Sequence, residues 1–350
     1  MAAALKNKLQ GVELLYVGSS RPGDRQLVEA AGLRFEAIAS GKLRRYFDLQ
    51  NVIDMGKVAL GWWQAKNILR KFKPDIVFAK GGAVTLPIIV AAGQMGIPVV
   101  ASESDIRVGL SNRIPMKWIT KLAVSFPVGD VVKHTPGISQ YRNRMVETGL
   151  PVDPKLTHAP AQKPFANGKP IVLITGGSQG ASFINQMVTQ SVSELIKVAN
   201  IIHYTGAGDY STILSYYRQL PDKFKGSWIV RGFDVEDFRG FLQGADIVVS
   251  RSGSFIMELE LAGKVAILVP LPTSASNHQY LNAQFLAQHQ AAVVIKQADL
   301  TPDLLVYETT DLLGDNDRRK QMSKKMKELG EVHIKAADKI ADLVIETVNR

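Results

Sequence analysis

Residues 170–181 read PIVLITGGSQGA: an apolar, β-branched run, then a turn with three glycines that leads into a helix-length segment. Glycines there let the backbone approach a ligand closely, and the amides at the start of a following helix attract an anion. No Lys-Ser/Thr follows, so this is not a Walker A loop, and the glycine spacing is not the dinucleotide GxGxxG. Alone, such a turn is as often structural as phosphate-binding. The same strand-to-helix order recurs outward in both directions. Apolar runs predict strands at 12–17, 35–39, 75–79, 98–101 and 122–126, then at 170–175, 201–205, 228–230, 246–250, 265–270 and 291–295. Nearly continuous apolar runs are expected of strands covered by helices on both faces. The alternation predicts an α/β chain of two Rossmann-like, doubly wound domains. Four prolines and Asn167-Gly168 mark 151–169 as a linker between domains at 1–150 and 170–330.

Composition narrows the function classes. The chain has 350 residues, 46% hydrophobic and 21% charged, which excludes a disordered chain. It has no cysteine, so disulfides, thiolate nucleophiles and Cys-ligated metals are excluded. Its six histidines form neither HExxH nor a paired-ligand spacing, and no GxSxG elbow occurs. No metal site is expected. The apolar stretch 88–101 is broken by Gly93, Gln94, Gly96 and Pro98, so it reads as helix, turn and strand rather than a membrane span. The first ten residues lack the long apolar stretch of a signal peptide.

The net charge of +10 falls entirely within residues 1–150, which hold 21 Lys and Arg against 11 Asp and Glu; residues 151–350 hold 21 of each. Much of the excess lies between Lys42 and Lys73, where eight basic residues meet two acidic ones. Leu60, Trp62, Trp63, Arg70 and Lys71 belong to this stretch. Tryptophan among cations suits an anionic membrane surface. A core helix with a basic outer face is the plainer alternative. Adjacent tryptophans cannot both face one core, which favours the membrane. Nucleic acid is not an expected partner.

Three polar turns of the second domain each follow a strand. Gly177, Ser178, Gln179 and Gly180 follow the first. Ser252 and Gly253 follow the run at 246–250, with Glu258 a turn and a half into the next helix. His278, Gln279 and Asn282 open a helix after 265–270. Singly, each would be capping chemistry more often than a site. Together, at carboxyl ends of strands, they point into one crevice suited to a nucleotide-type ligand. In the first domain Gly81-Gly82 holds the equivalent place.

GGSQGA at 176–181, the Arg251-Ser-Gly turn, Glu258 with Gly263, and NHQYLNA at 277–283 together resemble the MurG family of membrane-associated N-acetylglucosaminyltransferases. KPDIVFAKGG at 73–82, GIPVVASES at 96–104 and GLSN at 109–112 extend the similarity. The resemblance implies a GT-B fold, a metal-independent inverting transfer from UDP-N-acetylglucosamine, and no cofactor. The acceptor would be undecaprenyl-pyrophosphoryl-muramyl-pentapeptide, at the cytoplasmic face of the plasma membrane. Ser178 and neighbouring amides would hold the diphosphate, Glu258 the ribose, and Gln279 with His278 the sugar. Gly81, Gly82 and Asn112 would serve the acceptor, and the last helix, 331–350, would return to the first domain.

There are departures from the family pattern. Family members begin with a strand and a GGTGGH loop that carries a proposed catalytic histidine. Here residues 2–10 read as a helix leading directly to 12–17, so a start short of those elements is expected. The family's HEQN is Ser102-Glu103-Ser104-Asp105, and its GNPVR is Gly149-Leu-Pro-Val-Asp153. Asp105 and Glu103 are the candidate bases, with loop bracing as the plainer role for each. The alternatives are another acceptor, a UDP-sugar epimerase, or a silent UDP-sugar or lipid-binding protein.

Overall fold

The computed structural model describes residues 1–20, 23–41, 50–153, 155–177, 181–232 and 235–349. Ser178, Gln179 and Gly180, like Lys42, Arg44, Arg45 and Asp48, lie outside the described residues. The chain forms two units, residues 1–151 with 335–350, and residues 152–334.

Strands of the first unit are β1 (Leu15–Gly18), β2 (Arg34–Ala37), β3 (Val77–Ala79), β4 (Val99–Glu103), β5 (Lys121–Val124) and β6 (Met145–Glu147). The second holds β7 (Ile171–Thr175), β8 (Asn200–Tyr204), β9 (Trp228–Arg231), β10 (Ile247–Ser250), β11 (Val265–Leu268) and β12 (Ala292–Val294). All eleven predicted strands are present, and β6 is an addition. Every described pairing is parallel. β7, β8, β10 and β11 are buried along their whole length, as their apolar sequences require.

The second unit's sheet runs β12-β11-β10-β7-β8-β9. The order reverses between β7 and β10, and in doubly wound sheets ligands bind beyond the carboxyl ends of the strands at such a switch point. In the first unit the strands split into β1-β2 and β3-β4-β5-β6.

Within the stretch expected as a linker, 151–169, residues 155–169 group with the second unit. Lys155–His158 forms a helical turn, and the Gln162 amide donates to Gly240 O at 2.9 Å. Gly240 and Gly244 leave room for this contact, since a Cβ at Gly244 would stand 2.1 Å from Gln162 O. The helix Asn316–Ile334 carries the second unit to its end, so the chain rejoins the first unit at Lys335 rather than at 331. There the helix Ala336–Val348 buries Ile340, Ala341 and Val344 with Leu5, Val100 and Ala123, and Lys8 pairs with Asp342 at 2.8 Å.

In the first unit, the helix Gln50–Phe72 buries Gly61, Ala65 and Leu69, one stripe at a spacing of four residues. A Cβ on Gly61 would stand 2.0 Å from Ala39 O and 3.5 Å from Pro87 Cγ. Gly61→Ala is therefore expected to destabilise by about 2 kcal/mol, overpacking outweighing alanine's better helix propensity. A lower urea midpoint at unchanged slope would register it. An unchanged midpoint would show that the helix simply shifts outward.

Candidate functional site

Beyond the carboxyl ends of β10 and β11 two of the polar turns are bonded to each other within the second unit, and Gly176-Gly177 follow β7, the strand paired with β10. Gly177 takes φ of +80°, and its amide donates to Thr175 Oγ1 at 3.1 Å; the 17-residue helix Ser182–Val198 follows. Arg251 donates to Val269 O at 3.0 Å, Pro270 O at 3.3 Å and Gln297 Oε1 at 2.8 Å, tying the turn after β10 to the turn after β11. Ser252 Oγ donates to Gln279 O at 2.8 Å, and Asn282 Nδ2 to Ser252 O at 3.1 Å.

Ser252 and Asn282, expected to meet the ligand, make these bonds with the chain itself. Both are buried, and these bonds brace the two turns from beneath. Gln279 and His278 are half-buried. Gln279 Oε1 accepts from the Leu271 amide at 2.9 Å, while its Nε2 donates to nothing among the described residues and would lie 3.8 Å from a Cβ on Gly253. His278 Nδ1 lies 2.7 Å from Ala275 O, a carbonyl that can only accept, so Nδ1 carries the proton. Ser276 and Asn277 both take left-handed φ, +58° and +59°, which turns the chain sharply into the helix His278–Gln288.

Glu258 stands in the first turn of the helix Ile256–Ala262, half-buried. Burial, and secondly the charge of Asp153, push its carboxyl up to about 7, with Arg239 opposing. Arg239 in turn pairs with Asp153 at 2.5 Å. The carboxylate at 153, noted in sequence as a departure, thus has its own cation. Nothing local in the sequence linked Arg239 to it.

In the first unit, Gly81 and Gly82 follow β3 with φ of +93° and +92°, and a Cβ on Gly81 would stand 3.9 Å from Ser102 O in β4. The candidate base Glu103 is buried. Its Oε2 accepts from Gly109 N at 2.8 Å and Asn112 Nδ2 at 3.1 Å, and its Oε1 from Asp105 N at 3.3 Å. Burial, then the neighbouring Asp105, push this carboxyl up to about 7. Glu103 therefore braces the loop 104–112. Asn112, also buried, donates to Ser102 O and Glu103, so it too supports the loop from within. Asp105 is half-exposed.

On the helix Gln50–Phe72, Trp63 is 57% and Leu60 49% exposed, with Arg70 and Lys71 also exposed. Trp62 is half-buried, its Nε1 donating to Gln94 Oε1 at 3.0 Å and Lys66 Nζ lying 4.3 Å from its ring centroid. The adjacent tryptophans thus part as their spacing requires. No group of three or more His, Cys, Asp or Glu suited to a metal occurs among the described residues, and no described helix is long and apolar enough to cross a membrane.

Family models for the glycosyltransferase family 28 N-terminal and C-terminal domains match residues 1–124 and 171–342. A Clostridium kluyveri protein named UDP-N-acetylglucosamine–N-acetylmuramyl-(pentapeptide) pyrophosphoryl-undecaprenol N-acetylglucosamine transferase is 37% identical over 313 residues, 87% of this chain and 84% of that protein. The chain belongs to glycosyltransferase family 28, in its MurG branch. A Lachnospira eligens protein of the same name is 34% identical, covering 88% of this chain and 85% of its own length. The crystal structure of Acinetobacter baumannii MurG matches with a TM-score of 0.72 at 24% identity, over 99% of this chain and 95% of that one. The family 28 chain therefore has the GT-B fold and is a glycosyltransferase.

Proposed function

We propose that this chain transfers N-acetylglucosamine from UDP-N-acetylglucosamine to undecaprenyl-pyrophosphoryl-N-acetylmuramyl-pentapeptide, converting lipid I to lipid II. The single observation carrying this is the 37% identity, over most of both chains, with a transferase of that name. The switch-point turns support the donor half. Amides at the start of the helix Ser182–Val198 face a position suited to the diphosphate, where they stabilise the charge of departing UDP. Glu258 accepts from the ribose hydroxyls, and Gln279 Nε2 and His278 Nε2 meet those of the sugar. An acceptor hydroxyl then displaces UDP with inversion, and fixed dipoles supply the stabilisation without a metal or cofactor. Gly81 and Gly82 leave backbone open to the acceptor. Asp105 is the proton acceptor in this reading, since Glu103 is committed to its loop.

The protein is incubated with UDP-N-acetylglucosamine, with and without lipid I. Lipid II should form only when both are present. Free epimerised sugar with no lipid product would overturn the transfer.

In this reading the enzyme works at the cytoplasmic face of the plasma membrane as a peripheral protein, which the charged helix supports. Leu60 and Trp63 enter the headgroup layer, while Arg70 and Lys71 meet anionic lipid. Trp63→Ala is expected to weaken co-sedimentation with anionic vesicles about tenfold, following the loss of one inserted aromatic. Added salt should weaken the wild type further. Unchanged binding would place the contact elsewhere.

A further inference from the structure

A buried polar network centred on Asn185 lies directly behind the donor turn. Asn185 is in the first turn of the helix Ser182–Val198 and 3% exposed. Its Nδ2 donates to Thr205 O at 2.9 Å and to Asp209 Oδ2 at 2.7 Å. Both amide hydrogens leave in those directions, so Oδ1 is the atom 2.9 Å from His203 Nε2, and His203 must carry its proton there. The other imidazole nitrogen, Nδ1, is buried without a hydrogen-bond partner among the described residues. Burial drives this imidazole down to about 3, with Asp209 opposing, so His203 is neutral.

A fully buried histidine is a costly choice within β8. Ile201 and Ile202 of the same strand are also fully buried, and an aliphatic residue at 203 would bring no unpaired ring nitrogen of its own. What the histidine provides is a donor aimed at Asn185. β8 pairs with β7 in the register His203 to Ile174 and Tyr204 to Thr175, so Asn185 is anchored to the strand beside the one that delivers the glycine turn. Asp209 gives a third anchor from the head of the helix Tyr210–Gln219, which its side chain does not cap.

We propose that Asn185, held by His203 and Asp209, is a positioning residue for the nucleotide's diphosphate. It locks the first turn of the helix Ser182–Val198 against β8, and so fixes where the amides at that helix start are aimed. The proposal rests on the donor reading above. Misaiming such donors by about 1 Å costs one to two orders of magnitude at the group they serve. The loss should fall on the phosphates and spare the nucleoside.

UDP and uridine affinities are compared by calorimetry well below each variant's melting temperature. Asn185→Ala should weaken UDP about tenfold while uridine changes less than about twofold. Asp209→Ala should show the same selective loss at about threefold, and Asp209→Asn, whose amide oxygen still accepts from Asn185, should stay within about twofold of wild type. In turnover, Asn185→Ala should lower kcat as well as raise KM, because the same amides stabilise departing UDP. Should Asn185→Ala fail to fold, the two Asp209 variants decide alone. A fall in melting temperature with UDP affinity unchanged, or a parallel loss of UDP and uridine, would reduce Asn185 to a core residue. Failure of the wild type to bind UDP would instead overturn the donor reading itself.

Discussion

Glu258→Ala is expected to lower UDP affinity by roughly 100-fold, the loss of about 3 kcal/mol from two charge-assisted hydrogen bonds to the ribose. Glu258→Gln, which keeps one acceptor, should lose only about tenfold. The pH profile separates this role from simple packing. Burial and Asp153 hold the Glu258 carboxyl up to about 7. Only the carboxylate offers both oxygens to hydroxyl donors, so below pH 7 binding must first expel a proton. UDP affinity should then fall with decreasing pH, by up to about tenfold per unit at the steepest. Glu258→Gln lacks this group, so its profile between pH 6 and 8 should keep only the step of UDP's own terminal phosphate and be shallower than the wild type's. A wild-type profile no steeper than that of Glu258→Gln would mean that Glu258 does not meet the nucleotide.

The separation of structural from ligand-facing residues was only partly legible in the sequence. Strands buried on both faces have apolar sequences, so all eleven predicted runs reappear, while β6, three residues reading Met-Val-Glu, is too short and too exposed to signal itself. The turns at the switch point were legible because glycines and polar residues interrupt apolar runs. Which way each polar side chain faces was not. Ser252 and Asn282 look like Gln279 in sequence, yet two turn inward and one keeps an amide available. Glu103 reads in sequence as either a base or a brace, and its bonds to Gly109 and Asn112 are those of a brace. Partners such as His203 for Asn185, or Arg239 for Asp153, lie 18 and 86 positions apart, and no local spacing connects them. The physical reason is common to all of these. Secondary structure follows from neighbours along the chain, whereas hydrogen-bond satisfaction in a buried turn depends on what the tertiary fold brings against it.

His333→Ala is expected to destabilise the second unit by about 3–5 kcal/mol at pH 8, the usual cost of stranding one member of a buried polar pair. His333 Nε2 lies 2.7 Å from Glu260 Oε2, with side chains only 1% and 3% exposed. The helices that carry them, Ile256–Ala262 and Asn316–Ile334, approach so closely at Gly330 that a Cβ there would stand 2.7 Å from the Glu260 carbonyl carbon and oxygen. Water therefore cannot easily replace the lost imidazole. Burial pushes the Glu260 carboxyl up, and His333 opposes that push. Removing His333 lets the folded-state value rise further. A carboxyl raised in the folded state stabilises below its unfolded value, and that stability is lost as pH rises through the folded value. The deficit of His333→Ala against wild type, read from urea midpoints, should thus be smaller at pH 5 than at pH 8. A deficit independent of pH would assign the loss to the cavity alone. Replacing both members by leucine should recover most of the stability, because it removes the stranded charge and refills the space. Glu258 stands two residues before Glu260 on the same helix. His333→Ala should therefore weaken UDP binding only as the fold loosens, whereas Glu258→Ala should weaken it with the melting temperature intact.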